Sequence, residues 1–176
     1  MEAYMKEIQF LLTGGTIDSE YDPTTDTVVP FPRSGIKPYL SKFIQPNFEI
    51  HEKVITLADS RDIDDNIREV IVKAIKESKH DNIIIPHGTY TMSETAVYIA
   101  NEFAADKTSL AKKVILMGSF YPLVGFAQSD APYNIGFAIG CIEYLKPGVY
   151  VAMNSQIFDA HNVSKNIIKA KFTSKE

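Results

Sequence analysis

Five short apolar runs recur along the chain, and none of them alternates strictly between hydrophobic and polar positions. They are Ile8–Leu12, Val54–Leu57, Ile83–Pro86, Val114–Met117 and Val149–Met153. Consecutive positions rich in Ile, Val and Leu are typical of strands that are buried on both faces, as in a parallel sheet. The pattern therefore predicts five buried, parallel strands.

The stretches between these runs have the period of helices. The apolar side chains between Asp64 and Ser78 fall on one helical stripe, formed by Ile67, Val70, Ile71, Ala74 and Ile75. A stripe of this kind predicts an amphipathic helix that packs one face against a sheet.

Three further helices are predicted from start and stop signals. Thr91–Glu94 has the pattern of a capping box, and the helix continues through Ala96–Phe103. Asp130 is predicted to cap a helix over 131–145, in which Pro132 is accepted in the first turn. Ser34–Ile44 predicts a weaker helix, because its proline is accepted only near the start.

Alternation of strands and helices predicts the fold class. We expect an α/β protein, a three-layer α/β/α sandwich around a mainly parallel sheet of the flavodoxin or Rossmann type. The 176 residues contain no linker, repeat or low-complexity segment, so a single domain over residues 1–176 is expected. The polar stretch Thr24–Pro32 predicts either a loop or a short hairpin.

Composition and charge exclude several functional classes. A formal net charge of −4 argues against a surface for nucleic-acid phosphates, and the single Cys141 excludes a disulfide framework within the chain. No segment approaches the roughly 20 apolar residues that span a bilayer, and Met1–Lys6 lacks the apolar region of a signal peptide. We therefore expect a cytoplasmic protein that binds neither nucleic acid nor membranes.

Polar segments follow each of the predicted strands. They are Thr13–Ser19, Asp59–Asp62, His87–Thr91, Gly118–Pro122 and the region from Asn154 to Lys165. In open α/β sheets, ligands bind beyond the carboxyl ends of the strands, so a site is expected where these segments meet. The glycines of Thr13-Gly-Gly-Thr16 allow a loop to wrap closely around a small ligand, or simply to make a tight turn.

Residue spacing argues against several common kinds of site. Thr13-Gly-Gly-Thr16 matches neither of the usual glycine patterns that hold phosphates, so no nucleotide cofactor is expected. There is no G-x-S-x-G segment for a hydrolase serine. The spacing of the scattered histidines also predicts no metal site; these are His51, His80 and His161.

Taken alone, most of the polar residues have an ordinary structural explanation. Thr91 suits helix capping, His87 a buried histidine with its hydrogen bonds made, and Lys165 a solvated surface charge. Thr89 fits neither a cap nor a core position, which favours a functional role.

Four segments in a fixed order are informative together. They are Thr13–Ile17, His87–Ala96, Ser129–Asn134 and Gly148–Asn154. In combination they resemble the bacterial-type L-asparaginase family and the related amidotransferase subunits that act on glutaminyl-tRNA precursors. The resemblance runs from about Phe10 to Lys165. It implies hydrolysis of a small carboxamide, asparagine or a related amide, to an acid and ammonia, without a cofactor.

The resemblance also implies roles for individual residues. Thr16 corresponds to the family's threonine nucleophile, and Thr89 to a second threonine that works with a lysine, here Lys165. Ser60 corresponds to the serine that holds the substrate carboxylate. The remaining candidates for substrate binding are Gly15, Arg61, Gly88, Tyr90 and Ser119.

This set of residue types can support amide hydrolysis. A threonine hydroxyl is a weak nucleophile until a nearby base takes its proton. A lysine can be that base if burial lowers its pKa, and backbone N–H groups can hold the developing oxyanion. The expected reaction is attack on the amide, loss of ammonia and hydrolysis of the acyl-enzyme ester.

The sequence departs from the family pattern in two places within the site. Tyr90 stands where the family has the aspartate that binds the substrate's α-amino group, so a changed or weakened substrate preference is expected. The family's tyrosine in the loop after the first motif corresponds either to Tyr21 or, by alignment of the following Val-Pro, to a position occupied by Val28.

A third departure concerns the family's smaller second domain, which completes a neighbouring subunit's site and for which we expect no counterpart here. A homo-oligomer is therefore expected to provide the missing wall. The candidate aromatic contacts are Tyr4, Phe120, Tyr121, Phe126 and Tyr133. Two other functions stay open: a ligand-binding relative without turnover, and a nucleotide-binding flavodoxin-like domain, which the missing phosphate loop disfavours.

Overall fold

The fold alternates strands and helices along most of the chain. The structure, a computed structural model, describes residues 6–105, 111–125 and 128–175. The strands are β1 (Lys6–Gly14), β2 (Ser19–Asp22), β3 (Thr27–Pro30), β4 (Phe48–Ala58), β5 (Asn82–Pro86), β6 (Lys113–Met117), β7 (Gly148–Met153), β8 (Gln156–Asp159), β9 (Ser164–Asn166) and β10 (Lys171–Thr173). The α-helices are α1 (Ile36–Tyr39), α2 (Asp65–Glu77), α3 (Met92–Ala105) and α4 (Ala131–Cys141).

A six-stranded sheet forms the centre, with the strand order β4-β1-β5-β6-β7-β8. The first five of these strands are mutually parallel, and each contains one of the five predicted apolar runs. β8 is antiparallel and was not predicted. It follows β7 through a turn at Asn154 and Ser155, whose φ angles of 52° and 63° suit a tight hairpin.

Helices cover both faces of this sheet, which confirms the predicted three-layer α/β/α sandwich. Ile71 and Ile75 of α2 and Ala96 of α3 are buried against one face. Ile36 of α1 and Ile135 of α4 are buried against the other. The apolar runs of β1, β5, β6 and β7 lie mostly buried between these two layers, as their uninterrupted sequences indicated. The burial predicted for the fifth run is wrong, because β4 lies at the edge of the sheet and its Val54 is 59% exposed.

Helix starts agree with the sequence in position but differ in detail. The Asp64 carboxylate caps α2 by accepting a hydrogen bond of 2.9 Å from the Ile67 N–H. Asp130 precedes α4 but makes no side-chain cap; its carboxylate instead accepts hydrogen bonds from the N–H groups of Phe120 and Tyr121. The end predicted for this helix, residue 145, is wrong, because α4 ends at Cys141 and a turn follows.

Two smaller hairpins complete the described chain. β2 and β3 pair in antiparallel fashion, so the polar stretch Thr24–Pro32 belongs to a hairpin. β9 and β10 form a separate two-stranded sheet after β8. The weak helix predicted over 34–44 is α1 followed by one π-helical turn, Leu40–Ile44. Within the described ranges, no helix is long and apolar enough to cross a membrane.

Candidate active site

A small cavity lies where β1, β4 and β5 end. Its volume is about 170 Å³, well below the usual size of sites for drug-sized molecules, so it suits a small ligand. The lining residues are Gly15, Thr16, Asp59, Ser60, Arg61, Gly88, Thr89 and Tyr90. Three of the five polar segments that were expected to meet at the carboxyl edge of the sheet contribute to this lining, namely Thr13–Ser19, Asp59–Asp62 and His87–Thr91.

Two glycines allow the three loops around the cavity to approach closely. A Cβ atom at Gly15 would lie 2.4 Å from the Gly88 Cα, and Gly15 has a φ of 87°. A Cβ atom at Gly88 would lie 2.6 Å from the Ser60 Oγ. Any side chain at either position would push the loops apart, so these glycines do more than allow turns.

Thr16 lies on the short 3₁₀ turn Thr16–Asp18, directly after Gly15. Two hydrogen bonds fix the backbone of Gly15: its N–H donates to the Ala58 carbonyl at 2.9 Å, and its carbonyl accepts from the Ser19 hydroxyl at 2.8 Å. Among the described residues, no group is hydrogen-bonded to the half-buried Thr16 hydroxyl. The backbone next to Thr16 is thus held in place, and the Thr16 hydroxyl is available to a ligand.

Thr89 and Lys165 are in direct contact. The Lys165 Nζ lies 2.7 Å from the Thr89 Oγ1, and Thr89 is buried. Burial lowers the pKa of Lys165, an effect that the negative charge of Asp59 partly opposes. The Lys165 Nζ also lies 5.3 Å from the centre of the Phe120 ring. Lys165 is therefore not the solvated surface charge that its sequence context alone suggested.

Ser60 joins the loop after β4 to the start of α3. Its hydroxyl oxygen accepts hydrogen bonds from the N–H groups of Tyr90 at 3.2 Å and Thr91 at 3.4 Å. The Thr91 hydroxyl in turn donates to the Ser60 carbonyl at 2.6 Å. Thr91 thus uses its hydroxyl to attach a neighbouring loop, which the capping pattern in its sequence did not indicate.

Asp59 and Arg61 form an ion pair at the cavity. The Arg61 Nε and Nη2 atoms lie 3.0 and 2.7 Å from the two carboxylate oxygens of Asp59. The Arg61 guanidinium lowers the pKa of Asp59. Asp59 was not among the predicted site residues, although its place directly after a strand was a usable signal. It is the one carboxylate among the eight lining residues, and arginine already binds it.

Tyr90 lies at the mouth of the cavity and is 60% exposed. It also borders a larger groove of about 590 Å³ between α3 and β9, together with Lys165. The ring therefore points toward the site and the solvent, and not into the packing of α3.

Three other residues of interest lie outside the cavity lining. Tyr21 and Val28, the two candidates for one family position, lie opposite each other on the β2–β3 hairpin, and the Tyr21 hydroxyl donates to Asp26. The Ser119 hydroxyl donates to the Tyr121 carbonyl. None of these three residues, Tyr21, Val28 and Ser119, contributes to the cavity wall in this conformation.

His87 is fully buried beneath the cavity loops. Its Nδ1 lies 2.8 Å from the Gly88 carbonyl, so Nδ1 carries the proton and donates it. Burial lowers the pKa of His87 to about 4, which keeps the ring neutral near pH 7. Its Nε2 has no hydrogen-bond partner within the described part of the chain.

The fold and cavity define the class of the protein. It is an α/β sandwich with a small, hydroxyl-rich cavity at the carboxyl edge of a parallel sheet. Thr16 and Thr89 line this cavity, and Lys165 contacts Thr89. The sequence profile described as "Asparaginase, N-terminal" matches residues 7–173. The chain therefore belongs to the asparaginase family, as its ordered motifs indicated.

Comparison with individual proteins agrees with this membership. The chain is 28% identical to L-asparaginase 2 of Escherichia coli (strain K12) over 169 residues, which cover 92% of this chain and 47% of that protein. It is 27% identical over 170 residues to the probable periplasmic L-asparaginase of Haemophilus influenzae, covering 93% and 47%. The chain thus spans about half the length of these relatives.

Solved structures show the same relationship. The thermostable L-asparaginase from Thermococcus kodakarensis superposes with a TM-score of 0.77 at 26% identity, over 96% of this chain and 51% of that one. The probable cytoplasmic L-asparaginase from Campylobacter jejuni gives a TM-score of 0.76 at 27% identity, over 96% and 53%. These matches confirm the fold class.

Proposed function

We propose that this domain hydrolyses a small carboxamide to a carboxylic acid and ammonia, with Thr16 as the nucleophile. The observation that carries the proposal is the 2.7 Å contact between Lys165 and Thr89, whose side chain lines the same cavity as Thr16. A lysine with a lowered pKa beside a buried hydroxyl is the arrangement that removes a proton from a reacting group. Membership of the asparaginase family supports the same chemistry.

The proposed reaction has two stages. The Thr16 oxygen attacks the amide carbon, its proton passes to the Thr89–Lys165 pair, and the resulting oxyanion is stabilised by backbone N–H groups of the glycine-containing loops. The pair then protonates the leaving nitrogen, and ammonia departs to leave an ester on Thr16. Water hydrolyses this ester, giving the acid and restoring the Thr16 hydroxyl.

The charges in the cavity favour a substrate without an α-ammonium group. Asp59 is the lining carboxylate, and Arg61 already binds both of its oxygens. Tyr90 offers a neutral hydroxyl in the place of the family's aspartate. An ammonium group would find no unpaired anion among the lining residues, whereas Ser60 and Arg61 can bind a carboxylate or another polar end.

An assay of ammonia release tests this function. The substrates are asparagine, glutamine, succinamic acid, which is asparagine without its α-amino group, and propionamide, which also lacks the carboxylate. We expect succinamic acid to be the best of the four. Thr16→Val should abolish release, and Thr24→Val, an exposed hairpin residue, should leave it unchanged. Absence of ammonia from every amide would overturn the proposal.

A ligand-binding relative without turnover is the second candidate. It is favoured by the exposed Tyr90 at the mouth of the cavity, which stands in the place of the family's aspartate. In that case Thr16→Val would leave the binding of succinamic acid, measured by calorimetry, at wild-type affinity, and no variant would release ammonia.

We also propose a homo-oligomer in the cytoplasm, as predicted from the sequence. Tyr121 and Tyr133 are 56% and 57% exposed and are available to a second copy, whereas Phe120 packs beside Lys165. Tyr4 and Phe126 lie outside the described residues. Light scattering of the full chain at high micromolar concentration tests the proposal, and a species of about 20 kDa alone would contradict it.

A further inference from the structure

Two histidines and two glutamates meet at the edge of the sheet opposite the cavity. Glu7 lies at the start of β1, Glu49 and His51 lie at the start of β4, and His80 lies in the turn between α2 and β5. In the parallel register Glu7 pairs with Glu49, and Gln9 pairs with His51. Paired residues of neighbouring strands share a face, so Glu7, Glu49 and His51 lie on the same side of the sheet.

The donor atoms of this group are close together. One donor atom each from Glu7, His51 and His80 lies within 4.8 Å of the other two. The His80 Nδ1 is 2.7 Å from the Glu7 Oε2, and the His51 Nε2 is 3.7 Å from the Glu49 Oε1. The two imidazole rings stack with their centres 4.0 Å apart.

The backbone that carries His80 is fixed. The Lys112 ammonium donates to the carbonyls of Ser78 and His80 at 2.8 and 3.0 Å, and the His80 N–H donates to the Ser78 hydroxyl at 3.1 Å. The His80 side chain is only 15% exposed. His80 is therefore presented to Glu7 by a turn that other bonds already hold, which lowers the entropic cost of binding a ligand there.

Two features of the group point to a bound cation. Glu7 and Glu49 lie directly opposite each other on neighbouring strands with an imidazole beside each carboxylate, so two acidic and two imidazole side chains share one small region. The His51 Nε2 is buried and has no hydrogen-bond partner among the described residues. A buried nitrogen without a partner is costly, and coordination to a cation removes that cost.

We propose that Glu7, His51 and His80 bind a divalent transition-metal ion of the zinc class. Two imidazoles and a carboxylate are a donor set suited to Zn²⁺, and Mg²⁺ or Ca²⁺ prefer oxygen ligands alone. Zinc bonds of about 2.0–2.1 Å require donors about 3.3 Å apart, so the Glu7–His80 contact opens slightly and the stacked rings turn toward the ion. The Glu49 carboxylate or water takes the fourth position.

Such an ion links three separate segments of the chain at the edge of the sheet away from the cavity. Its role is structural, since an ion that binds the folded state alone stabilises it in proportion to its concentration and affinity. Linear spacing of the histidines gave no sign of this site, because its ligands come from β1, β4 and a turn.

Zinc binding to untagged, chelator-treated full chain, measured by calorimetry, is the first test. We expect one ion per chain, and a rise in Tm of about 5–10 °C when free zinc exceeds Kd a hundredfold. Magnesium should give neither signal. Absence of zinc binding, or an equal response to magnesium, overturns the proposal.

Variants assign the ligands. His80→Gln and Glu7→Gln should each weaken zinc binding by more than the roughly 10- to 100-fold that the loss of an outer partner costs, with an unchanged circular-dichroism spectrum in the absence of metal. His161 lies in the short 3₁₀ turn Ala160–Asn162 and is not part of the group. His161→Gln is therefore the matched control and should bind zinc as the wild type does. Wild-type affinity in both cluster variants would show that zinc binds elsewhere.

X-ray absorption of the wild-type zinc complex gives a result that does not depend on any variant. Scattering from two imidazole rings in the first coordination shell supports the site. A shell of oxygen atoms alone, or of one imidazole, contradicts it.

Discussion

The ammonium group of Lys165 lies 2.7 Å from the hydroxyl of Thr89, although 76 positions of sequence separate the two residues. Thr89 follows the central strand β5, and Lys165 lies on β9, outside the central sheet. The contact brings a basic group up to Thr89, which lines a cavity built from the segments that follow three parallel strands. Neither residue could be paired with the other from its local sequence.

The first prediction concerns this contact and the pH dependence of activity. Burial lowers the pKa of Lys165, and the neutral amine is the form that accepts a proton. Amide hydrolysis should therefore rise with pH and reach its plateau below the pKa of an exposed lysine. Lys165→Met should reduce kcat by about 10²- to 10⁴-fold. Lys169→Met, an exposed lysine in the next turn, is the control.

Rates measured from pH 6 to pH 10 for both variants decide the matter. A wild-type rate that falls with rising pH, or a Lys165→Met variant with the wild-type profile, would contradict the assignment of Lys165 as the base.

His87 should make the stability of the fold depend on acid. Its pKa is lowered to about 4 in the folded state, whereas in the unfolded chain it is about 6.5. As the pH falls through this window the unfolded state takes up a proton and the folded state does not, so the free energy of unfolding decreases. The loss from this residue should be roughly 3 kcal/mol between pH 7.5 and pH 4.

Urea unfolding at a series of pH values measures this effect. His87→Gln, which removes the titrating group, should show a smaller loss over the same range. His161→Gln retains His87 and should follow the wild type. Parallel curves for the wild type and His87→Gln would show that the acid sensitivity arises elsewhere.

Gly88→Ala should damage both the fold and the site. The added methyl group would lie 2.6 Å from the Ser60 Oγ and 2.7 Å from its Cβ, so the loop after β4 must move. We expect a loss of about 1–3 kcal/mol in the free energy of unfolding, as for other overpacked positions. Ligand binding at the cavity should weaken at the same time.

Gly136→Ala is the matched control for this change. Among the described residues, a Cβ atom at Gly136 would have no atom within 4 Å beyond the backbone of its own helix, α4. The substitution should raise the free energy of unfolding by about 0.5–1 kcal/mol. If Gly88→Ala changed neither the free energy of unfolding nor ligand binding, the prediction would be wrong, and the loops around the cavity would be able to move apart at little cost.

Tyr90→Asp should improve the use of asparagine. It places an unpaired carboxylate at the mouth of the cavity, where the existing Asp59 is already bound by Arg61. A charged partner for the α-ammonium should raise kcat/KM for asparagine by about 10- to 100-fold, and leave that for propionamide nearly unchanged. Kinetic assays of both amides provide the measurement.

Tyr144→Asp, at a tyrosine that is 86% exposed and outside the cavity lining, adds the same charge and should alter neither rate. Equal gains for both amides in Tyr90→Asp would indicate a wider entrance and not recognition of the ammonium group.

Sequence patterns predicted the five parallel strands of the sheet, but neither its antiparallel edge strand nor the contacts between its loops. β1, β5, β6 and β7 were visible because burial on both faces requires consecutive apolar residues. β4 has an apolar run as well, although it lies at the sheet edge with Val54 exposed. β8 was missed because four residues at the edge of a sheet leave only a weak pattern. Thr91 has the sequence of a helix cap, yet its hydroxyl bonds to Ser60, 31 positions away. Such long-range partners leave no local pattern to recognise.

The candidate site was found through ordered motifs and not through spacing or composition. Most of the expected residues line one cavity. Of the Asp59–Arg61 ion pair, only Arg61 was predicted as a site residue. The convergence of His51 and His80 was not anticipated at all. Their proximity depends on the register of β4 with β1 and on the turn before β5, which linear spacing does not contain.

The location of Lys165 on β9 gives the site an order of assembly. The segments that carry Thr16, Ser60 and Thr89 follow β1, β4 and β5, and all three precede β9 along the chain. A chain leaves the ribosome from its amino end, so Lys165 is the last of these four residues to be synthesised. In the mechanism proposed above, the proton acceptor therefore joins the site after its other components.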